Sequence, residues 1–202
     1  ELLHLAESVT AAELWIAKKD KADRAARAYE KILKIDENHL GAAEQLIPIY
    51  EEAGNAKGLA DAIEVKLQHL EGEDALSYLQ QVAELYENRL RKPDIALERY
   101  LTALNVAPHE PQTAEDVERV AQATGKWDQA VEGYSAALDG LGDPVAESTL
   151  RLRLGRVYLD ETEEVDKALE QYRAVYELDP ENTDALQALE RLYRQTERFQ
   201  EL

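Results

Sequence analysis

The chain has 202 residues, of which 42 are acidic and 23 are basic, so its formal net charge is −19 at pH 7. This charge disfavours binding to nucleic-acid backbones and to anionic membranes, and no apolar run approaches the roughly 18 residues of a membrane span. The absence of cysteine excludes disulfides, thiolate metal sites and cysteine nucleophiles, but it leaves the compartment open, since cytoplasmic and periplasmic proteins can both lack cysteine.

Helical periodicity predicts helices along the whole chain and no sheet, because nothing alternates with period two. Pro93, Pro111 and Pro144 suit the first turns of helices, Asp143 is a good N-cap, and Gly72 suits a chain reversal after a helix. In chain order, helices are predicted at about residues 2 to 18, 22 to 35, 40 to 53, 57 to 71, 75 to 91, 94 to 106, 112 to 124, 127 to 139, 145 to 161, 165 to 178 and 183 to 195.

An internal repeat organises these helices. Six positions recur in the same helical context at spacings of 34, 37, 34, 38 and 34 residues, namely Ala25, Leu59, Ala96, Ala130, Ala168 and Leu202. Because the spacing alternates, the true period is a pair of repeats, and Trp15, Tyr86 and Tyr158 are accordingly 71 and 72 residues apart. A period in this range marks units that bury their apolar faces by stacking on their neighbours.

The repeat unit is sharpest at six residues, Leu154, Gly155, Tyr158, Ala168, Tyr172 and Pro180. This pattern resembles the tetratricopeptide repeat, which reads L-G-x-x-Y, then A-x-x-x-Y/F, then proline. The resemblance covers essentially the whole chain and implies an all-α fold, a right-handed α-solenoid of stacked antiparallel helix pairs with about 5.5 repeats. We expect residues 1–202 to form one continuous array, and we expect the sequence to be a fragment of a longer chain.

Signals of catalysis and metal binding are weak. The four histidines are scattered, with none at the spacing of a zinc-binding helix, and no phosphate-binding glycine loop or nucleophile elbow occurs. Runs of carboxylates such as Glu161, Glu163 and Glu164 lack the spacing of a calcium loop, and solvated helix ends explain them better. We therefore predict no catalytic residue, no metal site, no cofactor and no enzymatic activity.

The resemblance also implies a binding surface, because the first helix of each tetratricopeptide unit lines a concave groove. The groove position two residues before the Tyr158 equivalent is occupied along this chain by Glu13, Pro48, Glu84, Arg119, Arg156 and Arg191. Neighbouring groove positions show the same change of sign, with Glu44 in the first half and Arg153 and Arg194 in the second. The implied groove is acidic in the first half and basic in the second.

Two interpretations of these arginines stay open. Guanidinium groups on successive first helices repel one another unless acids or a bound anion lie between them. The candidate acids within the chain are Glu115, Asp116, Asp160 and Asp184. The alternative is that the arginines bind carboxylates of a ligand, which the planar guanidinium can hold through two hydrogen bonds.

We predict a scaffold that binds a protein or peptide segment in its concave groove, with acidic ligand residues against the arginines and basic ones against the glutamates. Two alternatives stay open. The array self-associates into a homo-oligomer through its halves of opposite sign, or it is a non-catalytic recruiting segment of a longer enzyme. Neither nucleic acid nor membrane insertion is predicted, and the step from repeat fold to role is an analogy.

Overall fold

A computed structural model describes residues 22–197, and the helix predicted at about 2 to 18, Glu13, Trp15 and Leu202 lie outside these residues. The described chain is all-α, with no strand, and none of its helices is both long and apolar enough to cross a membrane. Its α-helices are α1 Ala22–Ile35, α2 Leu40–Ala53, α3 Ala56–Leu67, α4 Glu73–Glu84, α5 Pro93–Val106, α6 Pro111–Thr124, α7 Trp127–Leu138, α8 Pro144–Asp160, α9 Val165–Leu178 and α10 Thr183–Gln195.

The helices predicted within the described residues are confirmed, and α1, α2, α9 and α10 have the predicted bounds. Two predicted ends were wrong. The α-helix expected to reach residue 71 ends at Leu67, because the next amides bond three residues back in the tighter pattern of a 3₁₀ turn, as His69 does to Lys66 at 3.0 Å. The helix expected to reach residue 91 leaves α geometry at Glu84 and continues as a π-helix over Leu85–Arg89.

In the first unit the consecutive helices α1 to α4 pack against each other, and in the second unit α6 to α10 do; short turns join them, so they form antiparallel pairs. The small residues of the repeat permit this close packing. Ala96, Ala130 and Ala168 are fully buried, as predicted for helix-contact positions. The helices are closer still at Gly155 of α8, because a Cβ there would lie 2.8 Å from the Tyr172 ring of α9. The Tyr172 ring therefore lies directly against the backbone of α8.

Two kinds of turn alternate between first and second helices. Each passes through one residue with left-handed backbone geometry, at Gly54, Arg91, Gly125 and Glu163 in chain order. In the glycine turns a backbone N–H donates to the carbonyl five residues earlier, as Asn55 N does to Tyr50 O at 2.9 Å. In the turn at Arg91 the donor and acceptor are six residues apart, and Lys92 N donates to Tyr86 O at 2.8 Å. The extra residue contributes to the alternation in repeat spacing.

The chain divides within α5 into two compact units, residues 1–96 and 97–202. Each unit has a core of helix-facing side chains between successive helices, rather than one central core. In the first unit Ile32, Leu46 and Ile63 are at most 1% exposed, and in the second Leu150 and Leu169 are buried to the same degree.

Candidate functional site

A cleft of about 780 Å³ lies in the second unit between the first helices α8 and α10. We call it the arginine cleft. Tyr172 of the intervening helix α9 forms its floor. The walls consist of Thr149, Leu152, Arg153 and Arg156 from α8, and Asp184, Gln187, Ala188 and Arg191 from α10.

Local sequence fixes both walls. Asp143 caps α8 by accepting a hydrogen bond from Val145 N at 2.9 Å, and Asn182 caps α10 by accepting from Ala185 N at 3.0 Å. Such side chains satisfy amides that have no partner within the helix. The missing Cβ of Gly155 lets the floor helix approach α8 closely.

Arg156 and Arg191 are the two exposed guanidiniums of the arginine cleft, one on each wall. Neither forms an ion pair or a hydrogen bond with any residue in the described range 22–197. Asp160 and Asp184, which the sequence offered as partners, therefore do not pair with them. The structure brings these two predicted groove residues together and leaves their donors available to a ligand.

Burial and the charges around the cleft change the pKa of Tyr172 at its floor. Tyr172 is buried, and this desolvation raises the pKa of its hydroxyl above the ordinary range. Asp160 raises the pKa further, whereas Arg156 and Arg191 lower it. Both guanidiniums therefore act on the floor hydroxyl, together with one nearby carboxylate. Asp184 adds a second carboxylate on the wall, so the cleft carries mixed charge.

Arg153 lines the same cleft but its guanidinium is already engaged. Nη1 donates to Glu118 Oε1 of α6 at 3.0 Å, and Glu115 lies 3.6 Å away. Tyr134 of α7 also donates its hydroxyl to Glu118 at 2.8 Å. Burial alone would lower the pKa of Arg153, but the hydrogen bond and charge of Glu118 raise it above its ordinary value. Arg153 thus bridges successive repeats.

The other two predicted arginines lie outside the cleft lining and are also paired. Arg119 bonds Asp116 Oδ1 at 2.7 Å, and its guanidinium carbon lies 5.9 Å from the centre of the Tyr100 ring. Arg194 bonds Glu190 Oε1 at 2.6 Å. Internal pairing therefore accounts for three of the five predicted groove arginines.

The predicted glutamates of the first unit follow a different arrangement. Glu44 of α2 accepts a hydrogen bond from Lys66 Nζ at 3.1 Å, and the same ammonium lies 4.5 Å from the centre of the Tyr78 ring of α4. Gln81 of α4 donates to Glu51 of α2 at 2.7 Å. Side chains thus bridge the gap between α2 and α4. Glu84 is exposed at the end of α4.

Within residues 22–197, no group of three histidine or acidic side chains is placed to hold a metal ion. Sequence reasoning missed four cleft residues, Thr149, Leu152, Gln187 and Ala188. Thr149 and Leu152 precede Arg156 by seven and four positions, so the spacing of one helix face was the available signal.

No model of a known protein family matches the chain, and no curated protein matches it. Solved structures with a similar fold include a TPR repeats protein from Bacteroides fragilis, with 13% identity, 95% of this chain and 98% of that chain covered, and a TM-score of 0.49. YrrB, a TPR protein described as having an unusual peptide-binding site, has 21% identity, coverage of 88% and 87%, and a TM-score of 0.41. A thermophilic TPR protein from Thermus thermophilus has 20% identity, coverage of 95% and 97%, and a TM-score of 0.39.

These likenesses are remote and concern the fold alone. The tetratricopeptide-type helical repeat predicted from the sequence is confirmed by the chain's own helix pairs and buried repeat positions.

Proposed function

We propose that this chain is a non-catalytic protein-interaction module, and that its arginine cleft holds an acidic segment of a partner protein. One observation carries this proposal. Arg156 and Arg191 face one cleft of about 780 Å³ without an ion-pair partner among the described residues, in a protein with a net charge of −19. In such an acidic chain, internal carboxylates are plentiful, so two unpaired guanidiniums in one cleft favour a role in binding.

The chemistry of the lining specifies the ligand. Two planar guanidiniums suit carboxylates that accept two hydrogen bonds each. Leu152 and Ala188 add apolar surface to the lining, and Asp184 offers an acceptor for a backbone or side-chain N–H. A peptide segment with two glutamates or aspartates and an apolar residue nearby matches this lining better than a free inorganic anion does.

The test is binding of a capped peptide that carries two glutamates flanking a leucine, measured by calorimetry. Reversing both cleft arginines, Arg156→Glu with Arg191→Glu, is expected to weaken binding at least about tenfold, because charge-assisted hydrogen bonds are worth about 1.5–3 kcal/mol each. The control is Arg119→Glu with Arg194→Glu, which changes the net charge equally at paired arginines outside the cleft lining.

Circular dichroism establishes that both double variants remain folded. The control pair is expected to weaken binding less than about threefold, because distant exposed charges are screened by salt. Equal weakening by both pairs would show that overall charge, and not the arginine cleft, governs binding. If the double variant Arg156→Glu with Arg191→Glu binds the peptide as tightly as the unchanged protein, the proposed site is wrong.

A further inference from the structure

The first unit contains a different cleft, of about 380 Å³, between the second helices α1 and α3. We call it the apolar cleft. Leu46 and Tyr50 of α2 form its floor, and Leu33 of α1 with Ala62 and Val65 of α3 form its walls. The cleft therefore lies against second helices, whereas the arginine cleft lies between first helices.

Carboxylates surround this apolar lining. Glu30, Glu37 and Asp61 lie at the cleft, and Lys34 is the single basic residue there. Glu30 accepts a hydrogen bond from the Tyr50 hydroxyl at 2.8 Å. The cleft thus combines an apolar floor with a net negative rim.

The internal repeat contains one counterpart of this position that is filled by an aliphatic side chain. In the second unit, 71 residues further along, Leu101 of α5 stands where Glu30 stands in α1. Gly133 of α7 stands where Ala62 stands, and a Cβ on Gly133 would collide with the Leu101 side chain. A leucine side chain therefore packs against α7 at the position that corresponds to the apolar cleft.

The consequence is visible in the burial of the neighbouring leucines. Leu104 is completely buried, whereas Leu33, its equivalent in the first unit, is partly exposed. In the second unit the side chain of Leu101, itself partly buried, lies against Gly133 of the neighbouring second helix. Where the chain supplies Glu30 and Tyr50 instead, the groove is left with an apolar cavity and a charged rim.

We infer that the apolar cleft is a second interaction surface, which takes a partner segment presenting one leucine-sized aliphatic side chain next to lysine or arginine. The size comes from the cleft volume of about 380 Å³ and the aliphatic character from its apolar floor and walls, and the charge comes from the three rim carboxylates. Asp61 is bonded to the exposed Lys57 at 2.7 Å, and such exposed pairs exchange at little cost. A second copy of this chain is disfavoured as occupant, because each copy carries a net charge of −19.

The probe is a capped pentapeptide, Gly-Lys-Leu-Lys-Gly, titrated against the whole 202-residue chain by amide NMR. The matched control peptide is Gly-Lys-Ala-Lys-Gly, which has the same charge. We expect the leucine peptide to shift the amides of Leu33, Ala62 and Val65 and to bind about five- to tenfold more tightly than the alanine peptide, because it buries more apolar surface.

Variants separate cavity from charge. Glu30→Leu together with Ala62→Gly reproduces the leucine and glycine of the second unit and is expected to abolish the preference for leucine over alanine. Glu30→Gln removes the charge but leaves the cavity, so it is expected to weaken both peptides while the preference persists. Should the double variant Glu30→Leu with Ala62→Gly fail to fold, Val65→Arg, at a partly exposed wall position, blocks the same cavity.

Three results would overturn the inference. Equal affinity of the two peptides would mean that only the negative surface attracts them. An unchanged leucine preference in both the Glu30→Leu, Ala62→Gly double variant and Val65→Arg would place binding elsewhere. Light scattering that shows a dimer disrupted by Val65→Arg would assign the cleft to a second copy. None of these results bears on the arginine cleft, whose residues are in the other unit.

Discussion

The gap between α2 and α4 in the first unit and the cleft between α8 and α10 in the second both separate successive first helices, but they differ in internal pairing. In the first, Lys66 contacts Glu44 and the Tyr78 ring. In the second, Arg156 and Arg191 have no ion-pair partner in the described chain. A charged side chain at a groove position is therefore not by itself a binding residue. It is available to a ligand only where no side chain of the protein already pairs with it.

The largest expected effect is a difference in stability between two variants, each of which removes a side-chain contact between successive repeats, one in each unit. Arg153→Leu leaves Glu118 without its guanidinium, and because the Arg153 side chain is only 13% exposed we expect a loss of about 2 kcal/mol. Gln81→Ala, which removes the exposed bridge to Glu51, should cost about 0.5 kcal/mol. Chemical denaturation of both variants measures the difference. Equal losses would mean that the Arg153 bridge is no stronger than the exposed one.

The next effect concerns the floor of the arginine cleft. Gly155→Ala would bring a Cβ within 2.8 Å of the buried Tyr172 ring, so we expect a loss of about 1–2 kcal/mol despite the better helix propensity of alanine. The matched control in the first unit is Gly41→Ala, where the nearest side-chain atom is 3.5 Å away, and a gain of up to about 1 kcal/mol is expected. A gain in both variants would contradict the close packing of α8 on α9.

A smaller effect should be the same in both units. Arg91 and Glu163 have φ values of 56° and 57° in equivalent turns, a conformation that costs non-glycine residues about 1 kcal/mol. Arg91→Gly and Glu163→Gly should each stabilise the protein by up to about 1 kcal/mol, measured as an increase in melting temperature. An increase for one variant alone would show that charge, rather than backbone geometry, decides the outcome at these turns.

The smallest effect tests the difference in pairing itself. Arg156→Gln removes repulsion from Arg191 without breaking an ion pair, so the melting temperature should rise slightly, by an amount corresponding to a few tenths of a kcal/mol. Lys66→Gln in the first unit breaks the contact with Glu44 and should lower it by a similar amount. A clear decrease for Arg156→Gln would show that this arginine has an internal partner.

Repeat positions such as Ala96 and Ala168 could be predicted from sequence, because their spacing is set by the helix contacts that they make. The turn at Arg91 could not be predicted, since a left-handed residue leaves no signal when it is not glycine. The π-helix that follows α4 was missed for a related reason, because side-chain periodicity does not distinguish α from π hydrogen bonding over one turn.

Pairing at the candidate site was only partly predictable. Glu190 precedes Arg194 by four residues, the favourable order within a helix, and the two side chains form an ion pair. Asp160 follows Arg156 by four residues, which is the less favourable order, and the structure shows no ion pair between them. The bridge from Arg153 to Glu118 joins residues 35 positions apart and depends on how two repeats stack, so sequence order alone did not indicate it.

We propose that Arg156 and Arg191, and not the paired arginines outside the cleft lining, bind the ligand. The most direct measurement follows the side-chain Nε–Hε NMR signals of all arginines while the capped peptide with two glutamates is added. We predict that the signals of Arg156 and Arg191 shift together with one saturation curve, while those of Arg119 and Arg194, which lie outside the cleft lining, stay in place. Shifts at Arg119 and Arg194 alone, or saturation without any change at Arg156 and Arg191, would contradict this proposal.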